Sequence, residues 1–238
     1  MSRPLEPPAD LLDALQNLLE HRFNSRELLI RALTHPSFSN EYPKAPSNQR
    51  LEFLGDAVLG TVIAADLFER MPGRDEGALS RVRSFLVCEE SLYERAMELQ
   101  LGPCMLLGKG EKKSQGHKKA SLLADAYEAV LAAVYLDAGF EAAQRVILAA
   151  FETSLNRVEK GTHSRDHKTS LQEMVQARGG DLRPVYAIID TTGPPHARLF
   201  TAAVSVNEEV VGTGQGMSKK AAQQTAAKNA IDHWGTSA

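Results

Sequence analysis

Residues 49–70 read QRLEFLGDAVLGTVIAADLFER, and the fold turns on them. Their apolar positions recur at helical spacing over about six turns, until Met71, Pro72 and Gly73 end the run. Within this helix Glu52 and Asp56 stand four residues apart and therefore share a face. Around them lie Leu51, Phe53, Leu54, Ala57, Val58 and Leu59. Like charges at this spacing cost an isolated helix a few tenths of a kcal/mol, and Gly55 between them costs about 1 kcal/mol relative to alanine. Three locally unfavourable residues in one apolar stretch are the mark of a site, not of a scaffold. Glycine also allows a ligand or another backbone to come close.

A second acidic pair, Asp125 and Glu128, lies three apart in a predicted helix over 120–137, among Leu122, Leu123, Ala126, Val130 and Leu131. If the two helices face each other, four carboxylates converge, and such a group stays ionised only beside a cation. Oxygen-only ligands suit hard ions, Mg²⁺ first and Mn²⁺ as its substitute. No Glu-x-x-His pattern is present, which counts against a di-iron bundle. On spacing alone the acids are equally the solvated faces of amphipathic helices; the apolar setting and Gly55 favour the site.

Outward from these segments the first two-thirds of the chain reads as helix after helix: 10–22, 25–33, 76–87, 89–99 and 141–158. Asn24, Ser25, Arg26 and Glu27 resemble a capping box for the second of these. Residues 39–47 and the glycine- and lysine-rich 102–119 read as loops. The expected organisation is a helical domain over 1–158, a polar linker over 159–168 and a second domain over 169–235. In the second domain a short helix (169–178) precedes three strand-like runs (185–190, 199–206, 210–213) and a final helix (218–233), an α-β-β-β-α unit of α+β class. Turns are expected at Gly193, Pro194 and Pro195, and at Asn207, Glu208 and Glu209.

The composition of the 238 residues is 43% hydrophobic and 24% charged, ordinary for a globular protein with a real core. The two cysteines, Cys88 and Cys104, have no zinc spacing and suit a reducing compartment, so a cytoplasmic location is expected. Residues 1–10 carry no apolar signal-peptide core, and no run of 18 apolar residues predicts a membrane span. Net charge is −3; from Lys168 onward it is +1, from 7 Lys+Arg and 6 Asp+Glu. Any nucleic-acid contact must therefore use local clusters.

Residues 48–59, NQRLEFLGDAVL, closely resemble the signature of the ribonuclease III family. Supporting pieces follow the same order: Leu33, Thr34 and His35; Asp75, Glu76 and Gly77; 108–111, GKGE; and 123–129, LADAYEA. The second domain resembles a double-stranded RNA-binding domain through Leu171, Gln172 and Glu173, through 193–196 (GPPH) and through 212–222 (GTGQGMSKKAA). The resemblance implies an all-α endonuclease domain followed by a small α+β RNA-binding domain. It implies metal ligands at Glu52, Asp56, Asp125 and Glu128, with Asp56 and Glu128 catalytic. It further implies a homodimer through the catalytic domain, with one site per protomer. Those sites would leave 5′-phosphate and 3′-hydroxyl ends with short 3′ overhangs, in processing of ribosomal RNA precursors and other structured transcripts. The metal would activate a water and stabilise charge on the phosphate and the leaving 3′ oxygen. Gln49 departs from the family's usual glutamate, and Glu76 matches an accessory acid with no catalytic role assigned.

Lys109, Lys112, Lys113, Lys118 and Lys119 cluster just before the Asp125 helix, where they can hold phosphates beside the acids or be merely solvated. In the second domain, Lys219 and Lys220 open the last helix, where free amides attract phosphate. The resemblance puts Gln172 and Glu173 at one RNA minor groove and His196 at a second. Trp234 reads as core packing. Two rival readings are a non-cutting binding protein, opposed by the presence of all four carboxylates, and a helical metal hydrolase of small substrates, opposed by the C-terminal unit.

Overall fold

The computed structural model describes residues 6–159, 167–179, 182–194 and 198–234, without the side chains of Thr169, Glu173 and Trp234. The chain divides into two compact units, Met1–Lys160 and Gly161–Ala238.

The first unit is built around α9 (Ala120–Ala138), whose Leu123, Ala126, Ala129, Val130, Leu131, Ala133 and Val134 are fully buried. A helix apolar all round belongs in the middle of a core. Against it pack α4 (Gln49–Arg70), α6 (Glu89–Glu98), α10 (Phe140–Glu159) and α2 (Arg26–Ala32). The shell is completed by α1 (Ala9–Leu18), α3 (Pro36–Glu41) and α5 (Glu76–Leu86). Asp75 caps α5, its side chain accepting from the Ala78 amide at 2.7 Å, so part of the Asp75–Gly77 motif is a helix start.

Three expectations need correction. The helix over 10–22 stops at Leu18, because Glu20 adopts a left-handed conformation (φ 51°) and His21 turns inward to Asp137. The capping box at Ser25 does not form. The Asp137 carboxylate of α9 instead accepts the Asn24 and Ser25 amides at 3.0 and 2.7 Å, a tertiary cap that no local pattern announces. Neither predicted loop is plain: α3 runs into 39–47 as far as Glu41, and the 102–119 stretch holds most of α7 (Leu101–Cys104), all of α8 (Lys109–Lys113) and a 3-10 turn (Gly116–Lys118).

The second unit is α11 (His167–Ala177), β1 (Val185–Thr192), β2 (Leu199–Val206), β3 (Glu209–Gly216) and α12 (Lys219–Trp234). The sheet is antiparallel in the order β1-β2-β3. Its inner face, Ala202, Val204 and Val206, meets Leu171 and Val175 of α11 and Ala222, Ala226 and Ala230 of α12. Gly212, Gly214 and Gly216 alternate along β3 where α12 lies directly on the strand; a Cβ on any of them would strike the helix backbone. β2 and β3 join through Asn207 and Glu208, both at positive φ (53° and 67°), as a two-residue hairpin of that hand requires. The expected α-β-β-β-α order thus stands, with β1 and β3 longer than their apolar runs. His196 and the central residues of the 159–168 linker lie outside the described residues.

Candidate metal centre and RNA-binding surface

The two acidic helices meet where the acids are. Gly55 of α4 is buried against the backbone of Glu128 on α9, so closely that a Cβ there would overlap the Glu128 carbonyl. The close approach that glycine permits is therefore a helix crossing, and it sets Glu52 and Asp56 on one side opposite Asp125 and Glu128 on the other.

Electrostatics follow from that crossing. Burial pushes the Glu128 carboxyl up to about 7, and the neighbouring Asp56, Asp125 and Glu52 add to the shift. Burial raises Glu52 as well, with Asp125 contributing. Asp125 is raised by burial and then by Glu89, the first residue of α6. Glu89 is thus a fifth acid beside the cluster that sequence reading missed. An acid in the first turn of a helix is so commonly a dipole partner that its position alone carries no signal.

Among the described residues, no three Asp, Glu, His or Cys side chains stand within joint reach of one ion as placed. The donor set nevertheless fits a hard divalent cation: it is all carboxylate oxygen, on two helices already locked by backbone contact. Burial, with repulsion from neighbouring acids adding to it, raises three of these carboxyls, and a divalent charge relieves that condition.

Gln49 opens α4, exposed, with the Ser47 hydroxyl at 3.5 Å from its Oε1. Glu76, at the start of α5, accepts from the Ser80 hydroxyl at 2.9 Å and lines a separate cleft with Phe68 and Arg83.

Of the five clustered lysines, Lys119 differs from the rest. Its ammonium pairs with Glu111 and donates to the Ser114 hydroxyl at 3.0 Å. Hydrogen bonding to Lys119 holds Glu111 below the usual carboxylate range. Lys119, itself exposed, therefore staples the 109–119 segment to itself; Lys109, Lys112, Lys113 and Lys118 are exposed as well. In the second unit Gln172 is exposed on α11, and Lys219 and Lys220 are exposed at the start of α12. Ser218 caps that helix, its hydroxyl accepting the Ala221 amide at 3.1 Å. Lys168 is held inward, donating to Gln223 at 3.0 Å and lying 4.4 Å from the Tyr186 ring centre. Glu173 lies on α11 without a described side chain, and His196 lies outside the described residues.

Comparison with known proteins places these features. Residues 25–155 match the family described as Ribonuclease-III-like, and residues 167–233 match the double-stranded RNA binding motif. Ribonuclease 3 of Syntrophotalea carbinolica is 45% identical over 221 residues, covering 92% of this chain and 95% of that protein. Ribonuclease 3 of Heliobacterium modesticaldum is 51% identical over 206 residues, covering 85% and 86%. Among solved structures, a nuclease domain of ribonuclease III from Campylobacter jejuni is 42% identical, with a TM-score of 0.57. The match covers 60% of this chain and 96% of that one. That structure is described as showing structural flexibility in the region involved in dimer formation. The family depends on a divalent metal. A helical unit carrying four facing acids and an α-β-β-β-α unit with a lysine-bearing helix start are therefore the two halves of one enzyme. The chain belongs to the ribonuclease III family and is an endoribonuclease that cuts double-stranded RNA.

Proposed function

We propose that Glu52, Asp56, Asp125 and Glu128 hold the catalytic divalent ion, Mg²⁺ with Mn²⁺ as substitute, and that Asp56 and Glu128 stand closest to the chemistry. The observation that carries this reading is the Gly55–Glu128 crossing, which gathers the four acids and raises Glu128 to about 7. When bound, the ion supplies charge at the scissile phosphate and at the leaving 3′ oxygen. The chain's own part is to carry four oxygen donors on two helices fixed by backbone contact, so that only the acid side chains need turn to meet the ion. Near neutral pH Glu128 must also give up its proton to serve as a ligand. Exposed Lys109, Lys113 and Lys118 offset the repulsion between the acidic centre and RNA phosphates. Gln49 contacts substrate or orients a ligand, since an amide adds no charge to the cage.

The domain bounds we propose are 1–158 for the nuclease, 159–168 for the linker and 169–235 for the RNA-binding domain. In the latter, Gln172, Glu173 and His196 reach successive minor grooves, while Lys219 and Lys220 hold phosphate across the groove between them. The enzyme acts as a homodimer through the catalytic domain. Support comes from an unpaired apolar stripe on α4, where Phe53 is 81% and Phe68 73% exposed with Ala57 and Thr61 between them. Two such helices crossing antiparallel about Gly60 and Thr61 bring Phe53 of one copy beside Phe68 of the other. No described helix is long and apolar enough to cross a membrane. Ribosomal RNA precursors and other structured transcripts in the cytoplasm are the substrates we infer.

Incubation with a long RNA duplex, with and without Mg²⁺, tests the reading. The expected products are short duplexes with 5′-phosphate and 3′-hydroxyl ends and short 3′ overhangs, formed only with the ion. Metal-independent cleavage, or 2′,3′-cyclic phosphate ends, overturns it.

A further inference from the structure

The segment 33–41 carries no acid of the metal centre and no exposed lysine of the loop, yet it holds the loop at three points. Leu33 and His35 bracket Leu106 in a short parallel bridge: the Leu106 amide donates to the Leu33 carbonyl at 2.8 Å, and the His35 amide to the Leu106 carbonyl at 3.1 Å. The Gly108 amide donates to the Ser37 hydroxyl at 2.9 Å. The Lys109 amide, first of α8, donates to the Glu41 carboxylate at 2.5 Å. A side chain at Gly108 would strike the Ser37 carbonyl, so the two backbones are in direct contact.

His35 fixes the orientation of Ser37. Its Nδ1 accepts the Ser37 amide at 3.1 Å and lies 2.8 Å from the Ser37 hydroxyl. Facing an N–H, Nδ1 must be the unprotonated nitrogen, so the Ser37 hydroxyl donates to it and turns its lone pair to Gly108. Burial keeps the ring neutral by lowering its proton affinity, with Glu111 opposing and Lys119 assisting.

We propose that Ser37 and His35 are positioning residues for substrate binding: they seat the start of the lysine segment so that Lys113 and Lys118 meet RNA phosphates. The inference rests on the reading of those lysines given above. Without the Ser37 hydroxyl the Gly108 amide loses its partner, and one of the three holds on the start of the lysine segment is gone, so the segment is seated less firmly.

The test is a double-mutant cycle in the full-length protein, measuring KM, kcat and the Mg²⁺ concentration for half-maximal rate on one RNA duplex. The variants are Ser37→Ala, Lys113→Ala with Lys118→Ala, and all three together, with Ser37→Thr retaining the hydroxyl. Ser37→Ala should raise KM several-fold and flatten its salt dependence, leaving kcat and the Mg²⁺ requirement unchanged. Ser37→Thr should restore KM. On the background lacking Lys113 and Lys118, Ser37→Ala should have no further effect. If the lysine pair alone leaves KM unchanged, the loop's RNA role and this inference both fail. If the pair raises KM but Ser37→Ala does not, or its effect simply adds, the inference alone fails. A raised Mg²⁺ requirement also overturns it: the segment then acts on the metal cage, through the hydrogen bond from the Asn48 amide at the head of α4 to the Thr34 carbonyl.

Discussion

Replacing Glu128 by glutamine should make the metal-free protein more stable while destroying its activity. In the folded chain the Glu128 carboxyl titrates at about 7, against an ordinary 4.5, because it is half-buried and faces three other acids. A carboxylate raised in this way favours folding fully only below its unfolded value. As pH climbs from 4.5 to 7 the unfolded chain ionises freely and the folded one does not, so stability is lost and the full penalty stands above 7. At about 1.4 kcal/mol per tenfold change in proton affinity the ceiling is ~3.4 kcal/mol, and solvent screening at a half-exposed site roughly halves it, to ~1.5 kcal/mol. Glutamine has the same shape and no charge. In EDTA at pH 8 the Glu128→Gln variant should therefore melt about 3–6 °C higher than wild type by helical circular dichroism. The gain should vanish below pH 4.5, where Glu128 is neutral in the folded and the unfolded chain alike, and should shrink or reverse in excess Mg²⁺, which stabilises only the protein that binds it. A variant melting at or below wild type in EDTA at pH 8 would refute the argument, since Glu128 would then be a solvated surface acid.

Proton competition at the same carboxyl predicts that the Mg²⁺ concentration for half-maximal cleavage rises as pH falls from 8 to 6; a pH-independent requirement contradicts it. Gly55→Ala should lower the melting temperature and the cleavage rate together, by about 1–3 kcal/mol in stability, because the added methyl forces α4 and α9 apart. Helix propensity alone gives the opposite sign, a gain of about 1 kcal/mol. Lys219→Ala with Lys220→Ala should weaken binding to any duplex and flatten the log–log salt slope, by roughly 0.9 per phosphate contact on the B-DNA calibration; an unchanged slope removes these lysines from the interface. Gln49→Glu should leave the Mg²⁺ requirement nearly unchanged; a several-fold fall would assign position 49 to the metal site.

The sequence made α4 legible to both ends, because its apolar period is long and Met71, Pro72 and Gly73 break it. Glu52, Asp56, Asp125 and Glu128 were legible for the same reason: spacing fixes a shared face, and carboxylates amid apolar residues stand out. What lay hidden depended on distant partners. Gly55 announced a close approach, but only the fold shows that its partner is the Glu128 backbone. Ser25 sits at a helix start as expected, yet the group that satisfies the local amides is Asp137, far along the chain. The 102–119 stretch looked like loop because glycine and lysine dominate it; its short helical turns come from contacts with 33–41 and from the Glu111–Lys119 pair. The same pair sets Lys119 apart from the other lysines by its bond to Glu111, a distinction that composition could not draw.

The central claim is that four facing carboxylates hold the ion that cleaves duplex RNA, and amide substitution tests it most directly. Glu52→Gln, Asp56→Asn, Asp125→Asn and Glu128→Gln are each compared with wild type by gel shift on a long RNA duplex in Ca²⁺ and by single-turnover cleavage in Mg²⁺. Duplex affinity within about twofold of wild type is predicted for all four, since no phosphate contact is removed. Cleavage should be lost for Asp56→Asn and Glu128→Gln, and should require more Mg²⁺ for the other two. Near wild-type cleavage by Glu128→Gln at ordinary Mg²⁺ contradicts the account.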